Sequence, residues 1–124
     1  MPFFRGEDPT VVMELAFCME RCYVGPSEDV ITVGDVGREM FFILEGVVEV
    51  LVRVGQLGTK VKYKRVSTMG KGQFFGEMSL VEANHARTAT IRTITFCELR
   101  SLSADAFLAI SDRFADRFVL CLFS

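Results

Sequence analysis

From Tyr23 onward the chain is cut into short runs rich in Val, Ile and Phe by turn signals at Gly25-Pro26, Gly34-Asp35, Glu45-Gly46, Gly55, Gly58, Gly70 and Gly72. Glycine reaches backbone conformations closed to other residues, and proline presets one turn angle, so each break reverses the chain at little steric cost. Turns this dense imply many short antiparallel strands. The apolar, β-branched runs place them at Asp29 to Val33, Met40 to Leu44, Val47 to Val54, Lys60 to Thr68, Ala89 to Thr93 and Thr95 to Leu102. The fold class expected is mainly β, an antiparallel jelly-roll-like β-roll with flanking helices.

The flanks carry a different period. Asp8-Pro9 reads as a helix cap followed by proline at the first helical position, and Val11, Val12, Leu15, Ala16 and Met19 then fall on one helical face. That pattern predicts a helix over 8–22. Ser103 caps a second pattern running through Phe107, Leu108, Ile110 and Ser111, and Ala115 to Phe123 is apolar at helical spacing. With 124 residues, 50% of them hydrophobic and twelve of them Phe, the chain can bury one core. One domain is expected over 1–124, with the roll over 23–102 and C-terminal helices over 103–124. Phe41, Phe42, Phe107, Phe114 and Phe118 are read as core.

Charge and cysteine usage narrow the chemistry. Fourteen Lys and Arg stand against sixteen Asp and Glu, a net charge of -2 with no basic block, which does not suit a nucleic-acid polymer as partner. No apolar run approaches the roughly 20 residues needed to cross a bilayer, and no signal peptide opens the chain, so a soluble protein is expected. Cys18, Cys22, Cys97 and Cys121 form no CxxC pair, and Cys18 with Cys22, four apart on the expected helix, are poorly placed for a disulfide. Reduced thiols in a cytosolic compartment fit best. The one histidine, His85, sits in a polar loop and gives no zinc site with those cysteines, so no metal is expected. No paired carboxylates or Ser/His/Asp set can be picked out, so no catalytic residue is assigned and the chain is read as a non-enzyme.

One segment interrupts the strand pattern. Residues 72–93, GQFFGEMSLVEANHARTATIRT, contain a short helix candidate, Glu77 to Val81, preceded by Gly76. A helix start offers unpaired N–H groups, and Arg87 can add a bidentate guanidinium for the same anion. The Glu77 carboxylate cannot bind an anion, but it accepts hydrogen bonds from a sugar hydroxyl. Phosphate and ribose side by side suggest a nucleotide. A Glu and an Arg ten residues apart fit an ion pair on a solvated loop by default, and spacing alone favours that pair over a shared ligand.

FGEMSL at 75–80, followed after a loop by ARTATIRT at 86–93, resembles the phosphate-binding cassette of the cyclic-nucleotide-binding domain family, and GDVGREMFFILEGVVEV at 34–50 resembles that family's glycine-bracketed first hairpins. The resemblance implies that the cyclic phosphate is held by the Arg87 side chain and by N–H groups around Met78, Ser79 and Ala89, and that Glu77 takes the ribose 2'-hydroxyl. It also implies that Gly76 lets the backbone approach the sugar, that Thr88 reaches the phosphate or purine, and that Met69 lies against the base, although ordinary packing also explains Met69. Nothing in the family needs a histidine in the loop that holds His85.

PFFRGEDPTVVMEL and ITFCELRSLSADAF are similar to the cytoplasmic domains of hyperpolarisation-activated, cyclic-nucleotide-gated and related voltage-gated potassium channels. This implies a cAMP or cGMP sensor with no cofactor on the cytosolic face of a membrane protein. Its partners would be a transmembrane channel core and, through the parent protein, further copies of the chain. In the family a C-terminal lid helix covers the ligand, and 115–124 is long enough only for its beginning. A cAMP-sensing kinase regulatory subunit, usually with Ala after the arginine, and a cupin-like enzyme of the same roll, which needs several histidines, are the alternatives.

Overall fold

The structure, a computed structural model, describes residues 9–114. The expected cap at Asp8 and the expected helix Ala115 to Phe123, with the short lid, lie outside the described residues. In order, the elements are α1 (Pro9–Cys18), β1 (Glu20–Val24), β2 (Asp29–Ile31), β3 (Glu39–Glu45), β4 (Val48–Leu57), β5 (Lys60–Met69), β6 (Phe74–Phe75), α2 (Met78–Val81), β7 (Thr90–Thr93), β8 (Cys97–Ser103) and α3 (Ala104–Phe114). The strands form two antiparallel four-stranded sheets, ordered β1-β8-β3-β6 and β2-β7-β4-β5. This is the mainly β roll with flanking helices.

Two differences from the sequence reading stand out. The helix expected over 8–22 ends at Cys18, and Glu20–Val24 pairs instead with β8, from Glu20 opposite Ser101 to Val24 opposite Cys97. Cys22 and Val24 are partly buried against the inner core while Arg21 and Tyr23 are exposed, the alternation of a strand. Pairing satisfies the outer edge of β8, and this outweighs the helical spacing of Leu15, Met19 and Cys22. Phe74–Phe75, read as part of the cassette, is a two-residue strand opposite Phe42 and Phe41.

Strand alternation builds two cores. Phe41 and Ile43 of β3, Val48, Phe75, Ile91, Cys97 and Leu99 pack between the sheets, with Ile31 closing one end. Met40 and Phe42, one residue out of step, face the other way and pack with Leu15, Leu80, Leu102, Phe107 and Ile110 under the helices. Hence Met40 to Ile43 are four consecutive buried residues, as expected of a strand covered on both faces. After β3 the chain turns at Gly46, whose φ is +103°, and a Cβ there would lie 2.5 Å from the Phe96 carbonyl and 2.6 Å from Cys97 Sγ. Only glycine serves both needs.

α3 starts where the sequence places it. The Ser103 hydroxyl accepts a hydrogen bond from the Ala106 N–H at 3.1 Å, satisfying one donor of the first turn. Ser103→Ala is expected to lower stability by about 1 kcal/mol, read as an earlier urea midpoint at unchanged slope.

Candidate functional site

β6 leads through Gly76 into the single turn of α2, a loop then runs back to Arg87, and β7 follows. Ser79 and Leu80 of α2 are almost fully buried, Leu80 within the core under the helices, so the short helix is fixed to the body of the protein. The backbone of Arg87 is fixed as well. Its N–H donates to the Asp35 carbonyl at 2.7 Å, its carbonyl accepts from the Gly34 N–H at 2.8 Å, and Ala86 bridges to Val36. Thr90 holds the following strand by accepting from the Val33 N–H at 3.0 Å.

Between these parts lies a cleft of about 290 Å³. Its apolar wall comes from the sheet, with Ile31, Val50, Met69 and Ile91, and from Phe74 and Phe75. Its polar side is Gly76, Glu77, Met78, His85, Arg87, Thr88 and Ala89. Seven of the eight residues singled out from the sequence, namely Met69, Gly76, Glu77, Met78, Arg87, Thr88 and Ala89, therefore line one cleft.

Ser79 is the eighth, and it does something else. Its N–H donates to the Gly76 carbonyl at 3.2 Å, and its hydroxyl accepts from Arg87 Nη1 at 2.8 Å. Ser79 is thus absent from the cleft lining and holds the arginine in place. Arg87 Nη1 also donates to the Gly76 carbonyl at 3.3 Å, and Nη2 donates to the Glu39 carbonyl at 2.8 Å. Of the guanidinium's five donors, three are engaged by protein acceptors, which leaves the Nε–H and one Nη2–H. Two donors are what a bidentate contact to one anion uses.

Two glycines make room for this group. A Cβ on Gly37 would overlap the Arg87 guanidinium at Cζ, Nε and Nη2. A Cβ on Gly76, whose φ is +84°, would lie 2.9 Å from Nη1 and 3.1 Å from the Glu39 carbonyl. Burial pushes the Arg87 pKa down from its ordinary value, against the opposing pull of the Glu39 carboxylate. The group nevertheless remains a cation, because arginine starts far above neutral pH.

Glu77 caps α2 by position without a side-chain cap bond. It forms no ion pair with Arg87 among the described residues, so the solvated-pair reading of the two does not hold. The N–H groups of Met78 and Ala89 likewise have no backbone acceptor among the described residues. The cleft therefore presents a pinned cation with two open donors, open backbone N–H groups and a separate carboxylate acceptor, beside an apolar wall. Such a set can hold a compact anion and a hydroxyl of one molecule, with an apolar ring against the wall.

Sequence reasoning missed several parts of this site. Gly37 and Glu39 shape the seat of an arginine some fifty residues away, and no local pattern marks them. His85 lines the cleft and is held with Nδ1 3.1 Å from the Glu82 carboxylate, where only an exposed loop residue was expected. Val50, Phe74 and Ile91 have the pattern of ordinary core positions.

Comparison with known proteins follows the same lines. Residues 21–114 match the family model described as Cyclic nucleotide-binding domain. The chain is 34% identical over 114 residues to the human potassium/sodium hyperpolarization-activated cyclic nucleotide-gated channel 3, covering 92% of this chain and 13% of the channel. Among solved structures it superimposes on the Catabolite Activator Protein of Thermus thermophilus with a TM-score of 0.81 and 24% identity, over 98% of this chain and 55% of that one. It also superimposes on the regulatory domain of PKA from Toxoplasma gondii, crystallised with cAMP, with a TM-score of 0.78 and 25% identity, over 88% and 40% of the two chains.

Proposed function

Because the chain belongs to the cyclic nucleotide-binding domain family, we propose that its cleft binds a cyclic nucleotide without transforming it and that occupancy is relayed to an attached effector. The observation that carries this is the Arg87 seat, where three protein acceptors fix the guanidinium and its other two donors meet no acceptor among the described residues, in the lining of a cleft that Glu77 shares. In this reading Arg87 takes the cyclic phosphate, with the N–H groups of Met78 and Ala89 beside it. Glu77 accepts from the ribose hydroxyl, Gly76 admits the sugar, and Met69 and Val50 face the base. Ser79 acts through Arg87 rather than on the ligand. Thr88, exposed in the cleft lining beside Arg87, reaches the phosphate or the purine in this reading and makes cGMP a ligand to test beside cAMP.

The effector we propose is a cation or potassium channel, with this domain on the cytosolic side, since the human relative at 34% identity is a channel. The chain spans only 13% of that relative, so the pore and the assembly are inferred from the likeness. A kinase-regulatory role is favoured instead by the structural likeness to the Toxoplasma domain, although Thr88 follows the arginine here. In either case the ligand drives a change only by binding one conformation more tightly than another, by a coupling of about 1–3 kcal/mol.

Calorimetric titration with cAMP and with cGMP tests the proposal. Saturable one-site binding of at least one is expected, and Glu77→Gln should weaken it about tenfold through loss of a charged acceptor. A folded wild-type sample that binds neither nucleotide sinks the reading.

A further inference from the structure

A second cavity, of about 280 Å³, lies on the opposite face of β3 from the inner core. Ala16 of α1, Met19 just beyond that helix, Phe42 and Leu44 of β3 and Gln73 of the turn before β6 line it, and Arg100 of β8 is its cationic member. Arg100 is partly buried, and its Nε is fully buried with no hydrogen-bond partner. No carboxylate among the described residues forms an ion pair with it.

The strand register sharpens the anomaly. Arg100 stands opposite Phe42 on one side and opposite Arg21 on the other, so two arginines are cross-strand neighbours on the same face. Like charges placed this way repel, and a buried donor without an acceptor is costly. An anion seated on the part of Arg100 that reaches the cavity would offset the repulsion between the two arginines. Apart from Gln73 and Gly72 the remaining lining is apolar, and one guanidinium matches one negative charge.

We propose that this groove is a second binding site, distinct from the Arg87 cleft, for a medium-chain amphiphilic carboxylate whose head pairs with Arg100 and whose apolar chain covers Met19, Phe42 and Leu44. A carboxylate suits the planar donor edge of arginine, and the cavity is near the lower limit of small-molecule sites. Arg21, exposed and directly across the strand pair from Arg100, adds attraction screened by salt.

The test is titration of the full chain with decanoate, followed by amide chemical-shift mapping, beside decanol and butyrate. Saturable shifts at Met19, Phe42, Gln73 and Arg100 are expected with decanoate, with binding at least tenfold weaker for the neutral and the short analogue. Arg100→Met should weaken decanoate binding roughly ten- to hundredfold, and Arg100→Lys, which keeps the charge but loses the planar edge, should fall between. No saturable binding, equal binding of decanol, or decanoate shifts confined to Gly76 and Arg87 would each overturn the proposal on the wild-type protein alone.

Discussion

Arg87→Ala is expected to cost about 2–4 kcal/mol of cyclic-nucleotide binding, roughly a 30- to 700-fold weaker Kd. The loss has two sources. The ligand's phosphate loses the two donors that the protein leaves open, and the cation opposite the anion disappears. The same change also acts on the apo protein, since the carbonyls of Gly76 and Glu39 and the hydroxyl of Ser79 lose their donor in a region that is 9% exposed at Arg87. Stability should therefore fall by about 1–3 kcal/mol. Calorimetry on the variant, at a temperature where circular dichroism shows it folded, separates the two effects. Unchanged affinity in a folded variant would refute the role given to Arg87.

Gly37→Ala is expected to weaken binding about ten- to hundredfold while touching no atom of the ligand. Its added Cβ overlaps the guanidinium, and the flexible arginine, rather than the backbone, is the part able to give way. Gly37 does not have a left-handed φ, so alanine brings no backbone strain of its own. The fold should survive while the Nε and Nη2 donors lose their aim, and hydrogen bonds weaken steeply once misaligned. Gly55→Ala is the matched control, because a Cβ there meets nothing within 4 Å. Comparing the two variants by calorimetry and urea denaturation isolates the seat of Arg87. Equal affinity in both would mean that the observed position of the guanidinium does not matter to binding. Gly76→Ala is less informative, since its φ of +84° would add strain to the overlap.

Both predictions turn on a contact between residues distant in the chain, and the sequence shows its limits at the same place. The turns, the Ser103 cap and the short helix after Gly76 were legible because each is a local demand, while the cassette residues of the cleft were legible through their resemblance to a family. A positive φ selects glycine, a helix start selects a hydroxyl, and a tight spacing marks a motif. The strand at Glu20–Val24 was not legible, because its apolar residues fit a helix equally well until β8 offers an edge to pair with. Nor was the work of Ser79, which looked like a ligand contact and instead positions Arg87.

What the sequence by itself determined is the mainly β class and the position of the segment that resembles the cassette, and it is through that resemblance that Gly76, Glu77 and Arg87 are proposed as its chemistry. Only the tertiary structure decided what surrounds that chemistry. Gly37 and the Glu39 carbonyl reach Arg87 across a sequence gap of about fifty residues, His85 joins the cleft wall, and Arg100 comes to face Arg21 on the other side of the sheet. Local conformational preference is written in neighbouring residues. A binding site is made by chain segments that meet only after the strands have found their register.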